Sequence, residues 1–142
     1  MRIERVRQAD EELVAALARL LPQLSAEARP PALAELMEIV ATPGTSLLLA
    51  RDDGGRIAGT LTLVVYRHPA GVDARIEDVV VDESARGQGA GEALTREAIR
   101  LAQLAGAQRL NLTSRPHREA AHRLYERLGF FRHDTNVYRL VL

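Results

Sequence analysis

The stretch VVVDESARGQGAGEAL, residues 79–94, decides the interpretation of the chain. Its valines indicate a buried strand that ends at an acidic turn, and glycines at 87, 89 and 91 precede apolar positions at helical spacing. Glycine lets backbone N–H groups approach a ligand closely, and a helix N-terminus adds positive potential. The order of strand, glycine loop and helix therefore suits an anion such as a pyrophosphate, although a glycine-rich turn without a ligand fits the same pattern.

Two common phosphate-binding motifs are excluded by their details. A Walker loop ends in Gly-Lys-Ser/Thr, and all 19 basic residues of this chain are arginine. A dinucleotide fingerprint, G-x-G-x-x-G, would place its third glycine on Glu92 when counted from Gly87, and on Leu94 when counted from Gly89. The pattern that remains is Arg86-x-x-Gly89-x-Gly91 at the start of a helix.

The composition is that of an ordinary globular protein, with 46% apolar and 27% charged residues among 142. This length predicts a single domain, 1–142. The net charge of zero predicts no general attraction to nucleic acid or to an anionic membrane. Cysteine is absent and the four histidines lack metal-ligand spacing, so we expect no metal site. No apolar run reaches the roughly 18–20 residues that span a bilayer, and the N-terminus lacks a signal-peptide core, so we expect a cytoplasmic protein.

The hydrophobic pattern predicts an α/β fold with a mixed sheet, an α+β arrangement in the order β-α-α-β-β-β-α-β-α-β-β. A first helix follows the capping residue Asp10 and stops at Pro22, a second has Pro30 and Pro31 in its first turn, and a third runs from the glycine loop to Gly106. The fourth helix is predicted at 118–128. The predicted strands are 3–7, 46–51, 56–66, 74–82, 109–113, 130–132 and 137–142.

Two segments together resemble the GNAT superfamily of N-acetyltransferases. They are RIEDVVVDESARGQGAG at 75–91 and REAAHRLYERLGF at 118–130. The resemblance covers essentially the whole chain, because the predicted order of strands and helices is also that of the family. It implies a GNAT-like acyl-CoA N-acyltransferase fold. It also implies transfer of the acetyl group of acetyl-CoA to a primary amine of a small molecule or peptide, by direct attack and without a covalent enzyme intermediate.

The resemblance further implies where acetyl-CoA lies. The strand before the loop would splay from the strand after the helix, and the backbone at Val79, Val80 and Val81 would hold the pantetheine arm as an added strand is held. The diphosphate would lie on the loop formed by Arg86, Gly87, Gln88, Gly89, Ala90 and Gly91. Arg118 replaces an asparagine found in many members of the family. With Arg115 it either reaches a phosphate of the coenzyme or is a solvated helix start.

Two residues are candidates for catalysis. Tyr125 matches the family tyrosine whose phenol points to the coenzyme sulfur, which implies a general acid, although a packing tyrosine fits the same helical stripe. Glu77 is the candidate base, with Asp78 or water as alternatives. Strand alternation would put Glu77 on the face of Val79 and Val81, and Asp78 on the other, unless a bulge intervenes.

The acceptor amine and the length of the acyl group stay open. Asp73, Glu77 and Asp78 mildly favour a cationic amine such as a polyamine, an aminoglycoside or a peptide amino terminus, while Arg75 leaves a phosphosugar open. A non-catalytic acetyl-CoA-binding sensor or subunit is the alternative function. We also expect a homodimer, because NVYRLVL at 136–142 is too apolar for an unpaired edge strand.

Overall fold

The computed structural model describes residues 1–142, which form two compact units, Met1–Leu112 and Thr113–Leu142. The first unit contains a five-stranded sheet and three helices, and the second contains one helix. The single domain over 1–142 stays a prediction. None of the helices combines the length and the apolar character needed to cross a bilayer.

The sheet has the strand order β1-β2-β3-β4-β5, and its mixed character confirms the predicted fold class. The first four strands are antiparallel neighbours, and β5 runs parallel to β4. The strands are β1 (Arg2–Arg5), β2 (Thr45–Arg51), β3 (Ile57–His68), β4 (Gly71–Val81) and β5 (Leu110–Asn111).

Four helices follow the predicted order, namely α1 (Glu11–Leu24), α2 (Leu33–Ala41), α3 (Ala90–Leu104) and, in the second unit, α4 (Glu119–Arg127). The side chain of Asp10 caps α1 by accepting a hydrogen bond from the backbone N–H of Leu13 at 2.9 Å. Helix α1 runs through Pro22 to Leu24, slightly beyond the predicted stop. Helix α2 begins only after the N-cap residue Ala32, so Pro30 and Pro31 lie before the helix and not in its first turn.

The main core lies between α1, α2 and one face of the sheet. Leucines of both helices pack there with Val80 of β4 and with side chains of β2 and β3. Helix α3 covers the opposite face, where Gly59 of β3 has no side chain. A Cβ at Gly59 would lie 3.1 Å from the backbone oxygen of Val80, so the tightest contact that this glycine avoids is with the neighbouring strand β4.

The prediction of two strands at 130–132 and 137–142 is wrong. Residues 130–142 contain neither helix nor strand. A strand needs a neighbour that accepts and donates its backbone hydrogen bonds, and an apolar run alone does not supply one. The apolar side chains of this segment are instead 70% to 89% exposed at Phe131, Val137, Tyr138, Leu140 and Val141.

A β-bulge interrupts β4. Thr62 of β3 pairs with Glu77, but Thr60 pairs with Val80, so that Asp78 and Val79 together oppose one residue of β3. Asp78 has φ 51°, in the left-handed region. The sequence-based alternation is therefore wrong beyond this point: Glu77 lies on the face of Val80, and Val81 lies on the opposite face.

Candidate functional site

The edge of β4 that faces β5 is paired over a short distance only. Ala74 and Arg75 pair with β5, and no strand of the chain pairs with that edge at residues 76–81. The resemblance to the acetyltransferase family implied this divergence of β4 from β5. The unpaired stretch includes Val79, Val80 and Val81, and its backbone groups suit the amides of an extended ligand.

The turn after β4 is held by a buried carboxylate. Asp82 is 6% exposed, accepts hydrogen bonds from the backbone N–H and the hydroxyl of Ser84, and forms ion pairs with Arg19 of α1 and, at 3.3 Å, with Arg56. Burial by itself would raise the pKa of Asp82, but the bonds from Ser84 and the two guanidinium groups together lower it. The carboxylate therefore stays ionised and anchors the entry to the glycine loop.

The loop Arg86–Gly91 presents its backbone to open space. Gly87 and Gly89 have φ 78° and 85°, and Gly89 is the N-cap of α3. A Cβ added at either glycine would meet no atom within 4 Å. The first N–H groups of a helix have no partner within it, so those of Ala90 and Gly91 are available at the loop. With Arg86 exposed beside them, these residues fit a diphosphate.

Two carboxylates lie before the loop, on the face of the sheet that α1 and α2 cover. Glu77 accepts a hydrogen bond from Nε of Arg75 and is 45% exposed in its side chain. Asp78 lines a cavity of about 210 Å³ between these helices and the sheet. Burial raises the pKa of Asp78, and the adjacent charge of Glu77 raises it further. The bulge thus brings together two groups that regular alternation would separate.

Sequence reasoning did not find that Asp78 lines the cavity. A signal was present, because aspartate is one of the few residues that adopt the left-handed region readily, and here it stands inside a run of strand-forming residues.

Asp73 is the third carboxylate that was expected to attract a cationic amine, but its charge is already paired within the protein. It accepts two hydrogen bonds from Arg109, at 3.1 and 3.0 Å, and contacts Nε2 of His68 at 3.0 Å. The hydrogen bonds from Arg109 are the main reason that the pKa of Asp73 is lowered. Its charge is therefore already compensated within the first unit.

The second unit carries the other two sequence-predicted residues on or beside α4. Tyr125 packs edge-on against Phe130, with ring centroids 5.7 Å apart, and Arg118 is the N-cap residue of the helix. Burial raises the pKa of Tyr125, and the charge of Arg118 lowers it by a smaller amount. A raised pKa keeps the phenol protonated well above neutral pH, as a proton donor requires.

The histidines do not assemble into a metal site. Nε2 of His122 lies 3.2 Å from Oγ of Ser114 in the second unit, and His68 lies against Asp73 in the first. No group of three or more His, Cys, Asp or Glu side chains is arranged to hold a metal ion.

Strand β4 diverges from β5, and a loop with left-handed glycines leads into the N-terminus of α3, as the resemblance to the acetyltransferase family implied. Residues 11–130 match the model of the acetyltransferase (GNAT) family, and the chain belongs to that family. This covers both sequence segments that suggested the resemblance.

Similar proteins are acetyltransferases with different names. The chain is 30% identical over 90 residues to a putative phosphinothricin acetyltransferase of Bacillus subtilis, covering 63% of this chain and 55% of that protein. It is 35% identical over 86 residues to glucosamine 6-phosphate N-acetyltransferase of Trypanosoma brucei brucei, covering 58% and 56%. The chain thus spans about half the length of these relatives. A solved putative acetyltransferase of Agrobacterium tumefaciens superposes with a TM-score of 0.83 and 26% identity, over 99% of this chain and 100% of that one.

Proposed function

We propose that this acetyltransferase moves the acetyl group of acetyl-CoA to the nitrogen of a primary amine on a small molecule or peptide, by direct attack. The observation that carries the proposal is the second half of β4. There an unpaired edge leads into a left-handed glycine loop, beside two carboxylates on one face. In that arrangement the unpaired edge would bind an extended amide arm, the glycine loop would bind a diphosphate, and the carboxylates would bind the reacting amine.

The chain's own groups would bind acetyl-CoA by backbone contacts more than by side chains. The edge at Val79, Val80 and Val81 would pair with the pantetheine amides, and the loop Arg86–Gly91, which includes Gln88, would donate N–H groups to the diphosphate. Arg118 would add a phosphate contact. Acetyl-CoA supplies an acetyl group already activated as a thioester.

Two proton transfers would accompany the reaction. An ammonium ion has no lone pair, so the acceptor must lose a proton before it attacks, and Glu77 would take that proton directly or through water. The departing sulfur gains from receiving a proton, and the phenol of Tyr125 would donate it. General acid–base catalysis of this kind contributes about 10²–10⁴-fold to the rate.

The proposal is tested by measuring acetyl-CoA binding calorimetrically and thiol release over a panel of amines. We expect micromolar binding and turnover of at least one amine. Binding without turnover of any amine would favour the alternative, a sensor or subunit that binds acetyl-CoA. No binding at all would contradict both.

The acid is tested by Tyr125→Phe, with Tyr138→Phe as the matched control because Tyr138 is 89% exposed. Tyr125→Phe keeps the contact with Phe130 and removes one hydroxyl, so kcat should fall by about 10²–10⁴-fold while acetyl-CoA affinity is retained. Glu77→Gln should lose activity chiefly at low pH, where fewer amine molecules are deprotonated in solution. Wild-type kcat in both variants would refute these assignments.

A homodimer is proposed on the exposed apolar side chains after α4. Val137, Tyr138, Leu140 and Val141 keep 70% to 89% of their surface exposed, an arrangement that association with a second copy would relieve. Light scattering at tens of micromolar should give twice the chain mass of 15.6 kDa. A value equal to the chain mass would exclude the dimer.

A further inference from the structure

The cavity beside the bulge has a wall that is mainly aliphatic. Its volume is about 210 Å³, and its apolar lining includes Leu17, Leu21, Leu36, Ile39 and Leu47. Leu36 is 1% exposed and belongs to the main core, so this wall is fixed by packing. Sites for drug-sized ligands measure roughly 300–1,000 Å³, which makes this cavity suitable for a smaller molecule.

Few polar groups face this cavity. Thr60 and Thr62 line it, but the hydroxyl of Thr60 already donates to the backbone oxygen of Leu48 at 3.1 Å. Thr62, Arg29 and Asp78 offer fewer partners than the hydroxyl groups of a sugar or aminoglycoside need, so such a ligand would lose hydrogen bonds to water that the wall does not replace, and each loss weakens binding. The wall therefore favours a ligand whose body carries no hydroxyl groups.

Two charged side chains line the cavity, the anionic Asp78 and the cationic Arg29. Neither forms a salt bridge with another side chain, in contrast to Glu77, which is held by Arg75. The carboxylate of Asp78 is a partner for a single ammonium group. Arg29 repels a second one, which disfavours polyamines.

We infer that this cavity receives the acceptor, and that the acceptor is a compact primary amine with an apolar body and its ammonium group at Asp78. The inference rests on the proposed acetyl transfer and narrows its substrate. Asp78 selects and holds the amine, and Glu77 removes the proton. The two carboxylates can act on one amine because the bulge places both of them on the face that α1 and α2 cover.

Binding measurements test the inference separately from turnover. Protein loaded with coenzyme A is titrated calorimetrically with isopentylamine and phenethylamine, and in parallel with spermidine and glucosamine 6-phosphate. We expect the two apolar amines to bind at least roughly tenfold more tightly, since burying a few methylene groups is worth that factor. Equal or tighter binding of the polar amines, or no binding of the apolar ones, would overturn the inference.

Thiol release with acetyl-CoA then separates the two proposals. Turnover that prefers spermidine or glucosamine 6-phosphate would refute the apolar acceptor and leave the acetyltransferase standing. Tight binding of apolar amines with no turnover of any amine would refute the enzyme proposal and leave the cavity as an amine site.

Variants identify the group that holds the amine. Asp78→Asn removes the charge, and asparagine accepts the left-handed backbone at this position as readily as aspartate. We expect the dissociation constant of isopentylamine to rise by roughly tenfold or more, as for a lost hydrogen bond to a charged group. Asp53→Asn is the matched control, since Asp53 is an exposed turn residue, and it should change nothing. Unchanged affinity in a folded Asp78→Asn protein would contradict the role of Asp78.

Ile39→Ala gives an independent check that does not touch the charge. Ile39 lines the cavity and is partly buried, so its truncation enlarges the space next to the wall. We expect the preference to move from isopentylamine towards the bulkier phenethylamine. An unchanged ratio of the two affinities would place these amines outside the cavity and overturn the inference.

Discussion

Residues 71–75 of β4 have backbone partners on both sides, whereas residues 76–81 have them on one side. In the first half, the N–H of Gln108 donates to Val72 and the N–H of Ala74 donates to the oxygen of Arg109, both at 2.8 Å. In the second half, only β3 supplies partners, and a bulge interrupts even that pairing. The first half of the strand is therefore fully paired and contributes to stability, whereas the second half has the unpaired edge that we propose as the binding site.

The charges of the two halves differ in the same way. Asp73 is buried against Arg109 and His68, and little of it is left to attract a ligand. Asp78 lies five residues further along the same strand and forms no salt bridge. Removing a charge in the first half should therefore alter stability, and removing a charge in the second half should alter binding.

The largest effect is expected at the loop that follows the open half. Gly89→Val adds a β-branched side chain where φ is 85° and the backbone would meet the diphosphate. Losing two hydrogen bonds to a charged group would weaken acetyl-CoA binding by roughly 100-fold or more, as calorimetry would show.

A matched control exists in the turn between β2 and β3. Gly55 has φ 83°, and a Cβ there also meets nothing within 4 Å. Gly55→Val should thus share the backbone strain but keep full affinity. Equal loss of affinity in both variants would show that Gly89 acts only through the fold.

The next effect concerns the bulge. Asp78→Val forces a β-branched residue into the left-handed region, which costs about 1–2 kcal/mol of the free energy of unfolding. Asp78→Asn should keep nearly all of that stability, because asparagine tolerates the conformation. Urea unfolding compares the two, and equal stability would mean that the bulge is not held in this geometry.

A smaller effect is expected in the paired half. Asp73→Asn removes the charge that Arg109 and His68 surround, so the melting temperature should fall while acetyl-CoA affinity stays unchanged. The side chain of Arg109 is 64% exposed, and water solvates it when its partner is lost, which limits the cost. A lower affinity for acetyl-CoA would break the division between the two halves.

The smallest effect is a change in acid stability. Because the pKa of Asp73 is lower in the folded chain than its ordinary value of 3.8, its contribution is present above that pH and is lost as pH falls further. The difference in unfolding free energy between wild type and Asp73→Asn should be present at pH 5. It should shrink below about pH 4. A difference that is independent of pH down to pH 2 would show that the charge of Asp73 does not contribute.

Local patterns were enough to predict most of the fold. The glycine spacing at 87, 89 and 91, the cap at Asp10 and the apolar periodicity of α1, α3 and α4 depend on neighbours in sequence, and the structure has these elements where they were expected. The family segments also pointed to the residues that form the loop.

What the sequence did not predict depends on distant partners. The bulge at Asp78 arises from the register between β3 and β4, and no residue of β4 alone reveals how many residues of β3 oppose it. The strands expected after α4 fail for the same reason, since they have no paired neighbour. The cavity depends on how closely Leu17 and Leu36 pack against the sheet. Hydrophobic periodicity predicts which face of a helix these leucines lie on, but not how far that face lies from the sheet.

The open edge of β4 has a consequence for the protein without the proposed coenzyme. Unpaired N–H and C=O groups at residues 76–81 are a template on which a strand of another molecule can add, and repeated addition leads to aggregation. A bulge twists such an edge and breaks the regular ladder that a second strand needs. The irregularity at Asp78 would therefore make this edge a poor template for a rigid strand, while leaving it open to the flexible arm of the proposed coenzyme.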